Sequence, residues 1–80
     1  MAEGGGPTAP DPHFRIKILR DLADEGPKTA YALAMTHGSY IYAAMREMIR
    51  LGHVAHLGKS EGYTITAEGR RWLAEQEARQ

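Results

Sequence analysis

Two arginines four residues apart, Arg46 and Arg50, carry the most suggestive chemistry in this chain. A guanidinium can pair bidentately with the O6/N7 edge of guanine, or grip a phosphate as a permanent cation. On a helical wheel advancing about 100° per residue, both arginines fall with Ser39 and Ala43. The opposite side carries an apolar stripe of Ile41, Met45 and Met48, flanked by Ala44, Ile49 and Leu51, with Tyr40 and Tyr42 at the margins. Small residues near the N-terminal end let a backbone approach a partner closely, and tyrosine hydroxyls reach phosphate oxygens. Glu47, to one side of that face, is either an acceptor for cytosine N4 or a partner for Arg46 or Arg50. Lys28 and Thr29, with the N–H groups that open the preceding helix, form a second candidate phosphate contact. Lys59, in a later glycine-bounded loop, forms a third, to phosphate or to the minor groove. Contacts of these last two kinds set register rather than specify sequence. Taken alone, two arginines on an exposed helix are most often a solvated face. The elements around them must decide.

Those elements read as three helices, a hairpin and a last helix. Asp11-Pro12 is a helix start, an N-cap acceptor followed by a residue that needs no N–H there. The first helix runs to about Glu25, with Ile16, Ile18, Leu19, Leu22 and Ala23 on one side and Lys17, Arg20, Asp21 and Asp24 on the other. Gly26-Pro27 stops it. Thr29 caps a short second helix from Ala30 to about Met35, with Leu33 and Ala34 inward. His37-Gly38-Ser39 supplies a tight turn and a second cap, and the third helix spans about Tyr40 to Leu51. After Gly52 the period changes: His53–Leu57 and Tyr63–Ile65 are short β-leaning runs around the Gly58–Gly62 loop, a hairpin tip. Thr66 caps a fourth helix, Ala67 to roughly Ala78, anchored by Trp72 and Leu73. The hairpin is placed to cover the third helix. Met45 and Met48 are core, since methionine fills irregular gaps.

Composition narrows the classes. The chain has 80 residues, 42% hydrophobic and 25% charged, with no cysteine. That is one domain, without a disulfide framework, a thiolate zinc site or a cysteine nucleophile. It suits a reducing, cytoplasmic setting. No apolar run reaches the ~20 residues that span a bilayer, so no membrane partner is expected. Residues 1–11, with Gly4-Gly5-Gly6 and prolines, are expected to be a disordered tail, not a signal peptide. Residues 12–80 form the domain. Formal net charge is zero, but residues 13–80 carry +2, so the distribution matters more than the total. His53 and His56, three apart on an expected strand, face opposite sides and cannot chelate together. No metal, cofactor or catalytic site is expected: His37 and Ser39 are turn neighbours without a placed acid, and no glycine-rich phosphate loop follows a strand.

Over about residues 13–75 the chain resembles winged-helix regulators of the MarR and PadR type. The resemblance rests on Ile18-Leu19…Leu22 closing at Glu25-Gly26-Pro27, then Thr29-Ala30-Tyr31-Ala32-Leu33-Ala34, then Met48-Ile49-Arg50-Leu51-Gly52-His53-Val54. Its last part is Tyr63-Thr64-Ile65-Thr66-Ala67-Glu68-Gly69-Arg70-Arg71-Trp72-Leu73, similar to the stretch that ends the wing and opens the next helix in those families. The resemblance implies a mainly α fold with a small β-hairpin, a winged helix-turn-helix. It also implies sequence-specific binding of double-stranded DNA in transcriptional control, usually as a homodimer. The chain departs from the pattern in its short, polar C-terminal end, Glu75–Gln80, and in a wing with Lys59 as its lone cation. Two alternatives stay open. One is a winged helix used for protein–protein contact through Tyr31, Tyr40 and Tyr42. The other is a DNA-binding accessory subunit of a larger phage or mobile-element complex.

Overall fold

Helical periodicity and capping account for most of the architecture in the computed structural model, which describes residues 12–79. The expected tail and the Asp11 cap lie outside that range. Four helices and one antiparallel hairpin are present among the described residues: α1 (Pro12–Glu25), α2 (Ala30–His37), α3 (Ile41–Arg50), β1 (Val54–Gly58), β2 (Gly62–Ile65) and α4 (Ala67–Ala78). The core is where the apolar stripes meet. Ile18, Leu19 and Leu22 of α1, Leu33 of α2, and Ile41, Ala44, Met45 and Met48 of α3 are buried together with Val54, Ile65 and Leu73. Each large apolar side chain so buried contributes roughly 1.5–3 kcal/mol in transfer free energy. Phe14, Ala23, Ala34, Tyr63 and Trp72 pack around that cluster. No described helix is long and apolar enough to cross a membrane.

The two threonines that open helices do so as expected. Thr29 Oγ1 accepts from the Ala32 N–H at 3.1 Å, and Thr66 Oγ1 accepts from the Gly69 N–H at 2.9 Å. Ser39 does not cap α3. Tyr40 holds the cap position in a helical conformation, with no side-chain cap bond, and the turn is closed by the Ile41 N–H donating to the Gly38 carbonyl at 3.1 Å. Nor is His37 a turn residue: α2 continues to it, two residues past the expected end. The reason is a partner on α1, described below. Ile49 and Leu51, expected beside the apolar stripe, are exposed. Met48 in the same turn is fully buried, so the cause is angular position: Ile49 and Leu51 lie beyond the two edges of the covered stripe.

The hairpin pairs Val54 with Ile65, Ala55 with Thr64 and His56 with Tyr63, then slips so that Gly58 faces Gly62. On the far side of β2, Lys28 and Tyr63 exchange two backbone hydrogen bonds, 3.1 and 2.8 Å. This short bridge anchors the α1–α2 connection to the hairpin. It also explains Gly62, where a Cβ would collide with the Lys28 carbonyl at a φ of +82°. Gly69 has a similar role: a Cβ there would strike the His53 carbonyl oxygen. The Thr66 hydroxyl donates to the Gly52 carbonyl at 2.6 Å, and the Thr66 N–H donates to the His53 carbonyl at 3.0 Å. Together, Thr66 and Gly69 press the start of α4 onto the turn that leaves α3. The sequence signature around them is therefore a packing device that fixes where α3 ends relative to the hairpin.

Candidate nucleic-acid interface

Burial of Ile41, Ala44, Met45 and Met48 turns the rest of α3 outward. Ser39, Tyr40, Tyr42, Ala43, Arg46 and Arg50 are all exposed. α3 is thus the most sharply two-faced of the helices, with one side in the core and the other uncovered. Tyr40 also packs against Phe14 of α1, ring centroids 6.1 Å apart, so the N-terminal end of this face is braced from below. Lys59 is exposed in the loop joining β1 to β2.

The four expected cations divide into two classes. Arg46 and Lys59 have no ion-pair partner among the described residues. Arg50 is held by Glu47, one turn earlier: its Nη2 donates to Glu47 Oε2 at 2.7 Å and its Nε to Oε1 at 3.3 Å. The hydrogen bond from Arg50 keeps the Glu47 carboxyl below its ordinary value, against an opposing effect of burial. The charges of Arg50 and, more weakly, Arg15 add to it. In this structure Glu47 is the partner of Arg50. Arg46 stays clear of it.

Lys28 belongs with Arg50. Its ammonium lies 2.7 Å from Asp21 Oδ1 and 2.8 Å from Glu25 Oε1, and those two hydrogen bonds raise its pKa. As a donor to a phosphate it would first have to leave two carboxylates. Its charge serves the joint between α1 and α2. His37 Nε2 donates to the other oxygen of Asp21 at 2.9 Å. Burial tends to raise the Asp21 pKa, yet the hydrogen bonds from Lys28 and His37, with their charges, lower it on balance. Asp21 was expected on the outer side of α1. Instead α2 closes over it and leaves its side chain 12% exposed. Lys17, Arg20 and Asp24 line the same cleft, of about 480 Å³. Thr29 spends a hydroxyl lone pair on the Ala32 N–H and remains half-buried beside this cluster.

One further grouping escaped the sequence reading. The Arg15 guanidinium carbon lies 4.7 Å from the Trp72 ring centroid, and the buried His53 ring stacks on Trp72 at 5.2 Å with a 29° tilt. Arg15 Nε and His53 Nδ1 are buried without a protein hydrogen-bond partner among the described residues. Burial, and then the Arg15 charge, push the His53 pKa down, while Glu68 pulls weakly the other way. Contact between an arginine and a tryptophan 57 positions apart has no local sequence signal. Among the described residues, no group of three or more histidines, aspartates or glutamates is arranged to hold a metal ion.

Comparison of the chain with protein families, with curated proteins and with solved structures finds no match in any of the three.

Proposed function

We propose that this chain is a winged helix-turn-helix domain that binds double-stranded DNA in the control of transcription. In this reading α3 is the recognition helix lying in the major groove, and the β1–β2 loop is the wing. The observation that carries it is the uncovered outer face of α3, where Arg46 is exposed and unpaired among the described residues. A recognition helix reads bases mainly with its N-terminal half, which here presents Ser39, Tyr40, Tyr42 and Ala43. Arg46 follows as the first cation, and Lys59 supplies a phosphate contact from the wing. The order of α2, a short turn, α3 and a hairpin supports the reading by analogy of layout alone.

The test is a fluorescence-anisotropy titration of random-sequence duplex DNA at several salt concentrations. Wild type is expected to bind with an affinity that falls as salt rises, because cations on the protein displace condensed counterions. On this random-sequence duplex Arg46→Ala is expected to weaken binding and to lower the salt slope by about one unit, and on a selected site to cost about 1–3 kcal/mol if it contacts a base. Salt-independent or absent binding by wild type defeats the proposal, and an unchanged affinity for Arg46→Ala removes α3 from it.

A second reading has its own observation. On the outer face of α2, Tyr31 is 70% exposed and Met35, one turn later, is 71% exposed. An aromatic and a methionine together on an open helix face favour a protein contact. Retention of a protein partner after nuclease treatment, lost in Tyr31→Ala but kept in Arg46→Ala, would favour it over DNA.

A further inference from the structure

The ion pair between Glu47 and Arg50 lies on the same helix as the proposed reading face. Residues 43, 47 and 50 stand one above another at helical spacing, so Glu47 borders the surface a duplex would meet. Its carboxylate is fixed by two hydrogen bonds from Arg50. The Arg50 side chain is 69% exposed, that of Glu47 only 32%. The acid is the more covered partner, and the exposed guanidinium is folded back onto it.

We infer that Glu47 is a specificity-determining residue of this face, a carboxylate that keeps Arg50 from gripping phosphate wherever the domain lands on DNA. The inference rests on the DNA reading above and goes further, by assigning opposite roles to the two arginines of α3. For Arg50 to grip a phosphate with its Nε–Nη2 edge, it must give up both hydrogen bonds; reaching with its remaining N–H groups instead brings the phosphate close to the Glu47 carboxylate, so either way two anions repel. That repulsion opposes binding on every sequence alike. A base edge with a donor can offset it, and the exocyclic amino group of cytosine is the major-groove donor that a carboxylate accepts from. Arg46 has no such guard and contributes on any sequence. The zero net charge of the chain fits a domain whose salt-dependent attraction for duplex DNA in general is modest, so that base contacts decide between sites.

The experiment compares wild type, Glu47→Gln, Arg50→Ala and the double variant. Affinity for random-sequence duplex is measured against salt, and each protein is used to select sites from a random-sequence duplex pool. Glu47→Gln is expected to bind random duplex about fivefold tighter near 0.1 M salt, with a salt slope steeper by about one unit, the signature of one added phosphate contact. Its selected sites should lose a cytosine preference that wild type shows. Arg50→Ala alone should weaken random-duplex binding, because Glu47 then borders the duplex without its counterion, and the double variant should cancel the gain. Unchanged affinity and slope in Glu47→Gln, alongside weakened binding in Arg46→Ala, would overturn this inference and leave the DNA reading standing. A gain that survives in the double variant overturns it too, because Arg50 would then not be the group released. If neither wild type nor Glu47→Gln binds duplex in a salt-dependent way, the DNA reading itself falls, and the inference with it.

Discussion

The outer face of α3 and the joint between α1 and α2 each bring together cationic side chains, but they treat them in opposite ways. At the joint, Lys28 and His37 converge on Asp21, and Lys28 also takes Glu25. On α3, Arg46 stands free of carboxylates among the described residues, and only Arg50 is paired. The difference lies in the packing geometry. α2 ends against α1, so charges there are partly withdrawn from water and must be matched, because an unpaired charge at such a site is costly. The outer half of α3 meets solvent, where an arginine needs no partner and a surface pair contributes little to the stability of the fold. Matched charge holds elements together. Unmatched charge is what remains for a partner.

The strongest way to break this contrast is to remove Asp21. Asp21→Ala leaves Lys28 and His37 without their common acceptor and is expected to lower stability by about 2 kcal/mol, the scale of hydrogen bonds to charged groups. Arg46→Ala should change stability by no more than about 0.5 kcal/mol, as surface substitutions usually do. Urea unfolding followed by Trp72 fluorescence reads both. Similar midpoint shifts for the two variants would mean that the joint and the open face do not differ in the way their charges suggest.

Acid tests the matched charges of the joint next, with a smaller effect, against a buried group that lies outside both regions. His53 has a folded pKa below its ordinary 6.5, chiefly from burial and then from the Arg15 charge. The unfolded chain therefore takes up this proton first as pH falls. The His53 contribution to stability is complete above pH 6.5 and is lost as pH drops from there through the lowered folded value. Asp21, with a folded pKa below 3.8, adds its own contribution above pH 3.8 and loses it only below. Two descending steps are expected in thermal melts against pH. His53→Phe, which can keep the stack on Trp72 without a titrating group, should flatten the first step and spare the second. A first step of equal size in that variant would assign it to another group.

Which parts could be read from sequence follows from how local each interaction is. The burial of Ile41, Ala44, Met45 and Met48 follows from helical period alone, because a helix pressed onto a core hides one stripe. Thr29 and Thr66 were legible as caps, since their hydroxyls act on N–H groups three residues ahead. The Glu47–Arg50 pair was visible as one of several options, being three residues apart. Asp21 was not legible. A wheel gives the phase of a residue on its own helix, but it cannot show that the end of a helix 16 residues later will close over it. The same holds for Arg15 above Trp72, and for Gly69, whose lack of a side chain is required by the backbone at His53. In the candidate site, the exposed positions of α3 were predictable one by one. Which of their charges were already occupied was not.

The finest test uses two lysines that look alike in sequence. Lys28→Ala and Lys59→Ala each remove one positive charge, and both residues were candidates for phosphate contact. Lys59 sits exposed at the hairpin tip without an ion-pair partner among the described residues, whereas Lys28 is clasped by Asp21 and Glu25. If occupancy decides availability, Lys59→Ala should reduce the salt slope of duplex binding by about 0.9, the loss of one phosphate contact. Lys28→Ala should leave that slope unchanged. It should instead lower the unfolding midpoint, because Asp21 and Glu25 lose their common cation, while Lys59→Ala leaves the midpoint where it was. A slope that falls equally in both variants would show that Lys28 abandons its carboxylates when a phosphate arrives. In that case the static pairing at the α1–α2 joint would not predict which cations meet DNA, and the division between the two regions would hold for the free protein only.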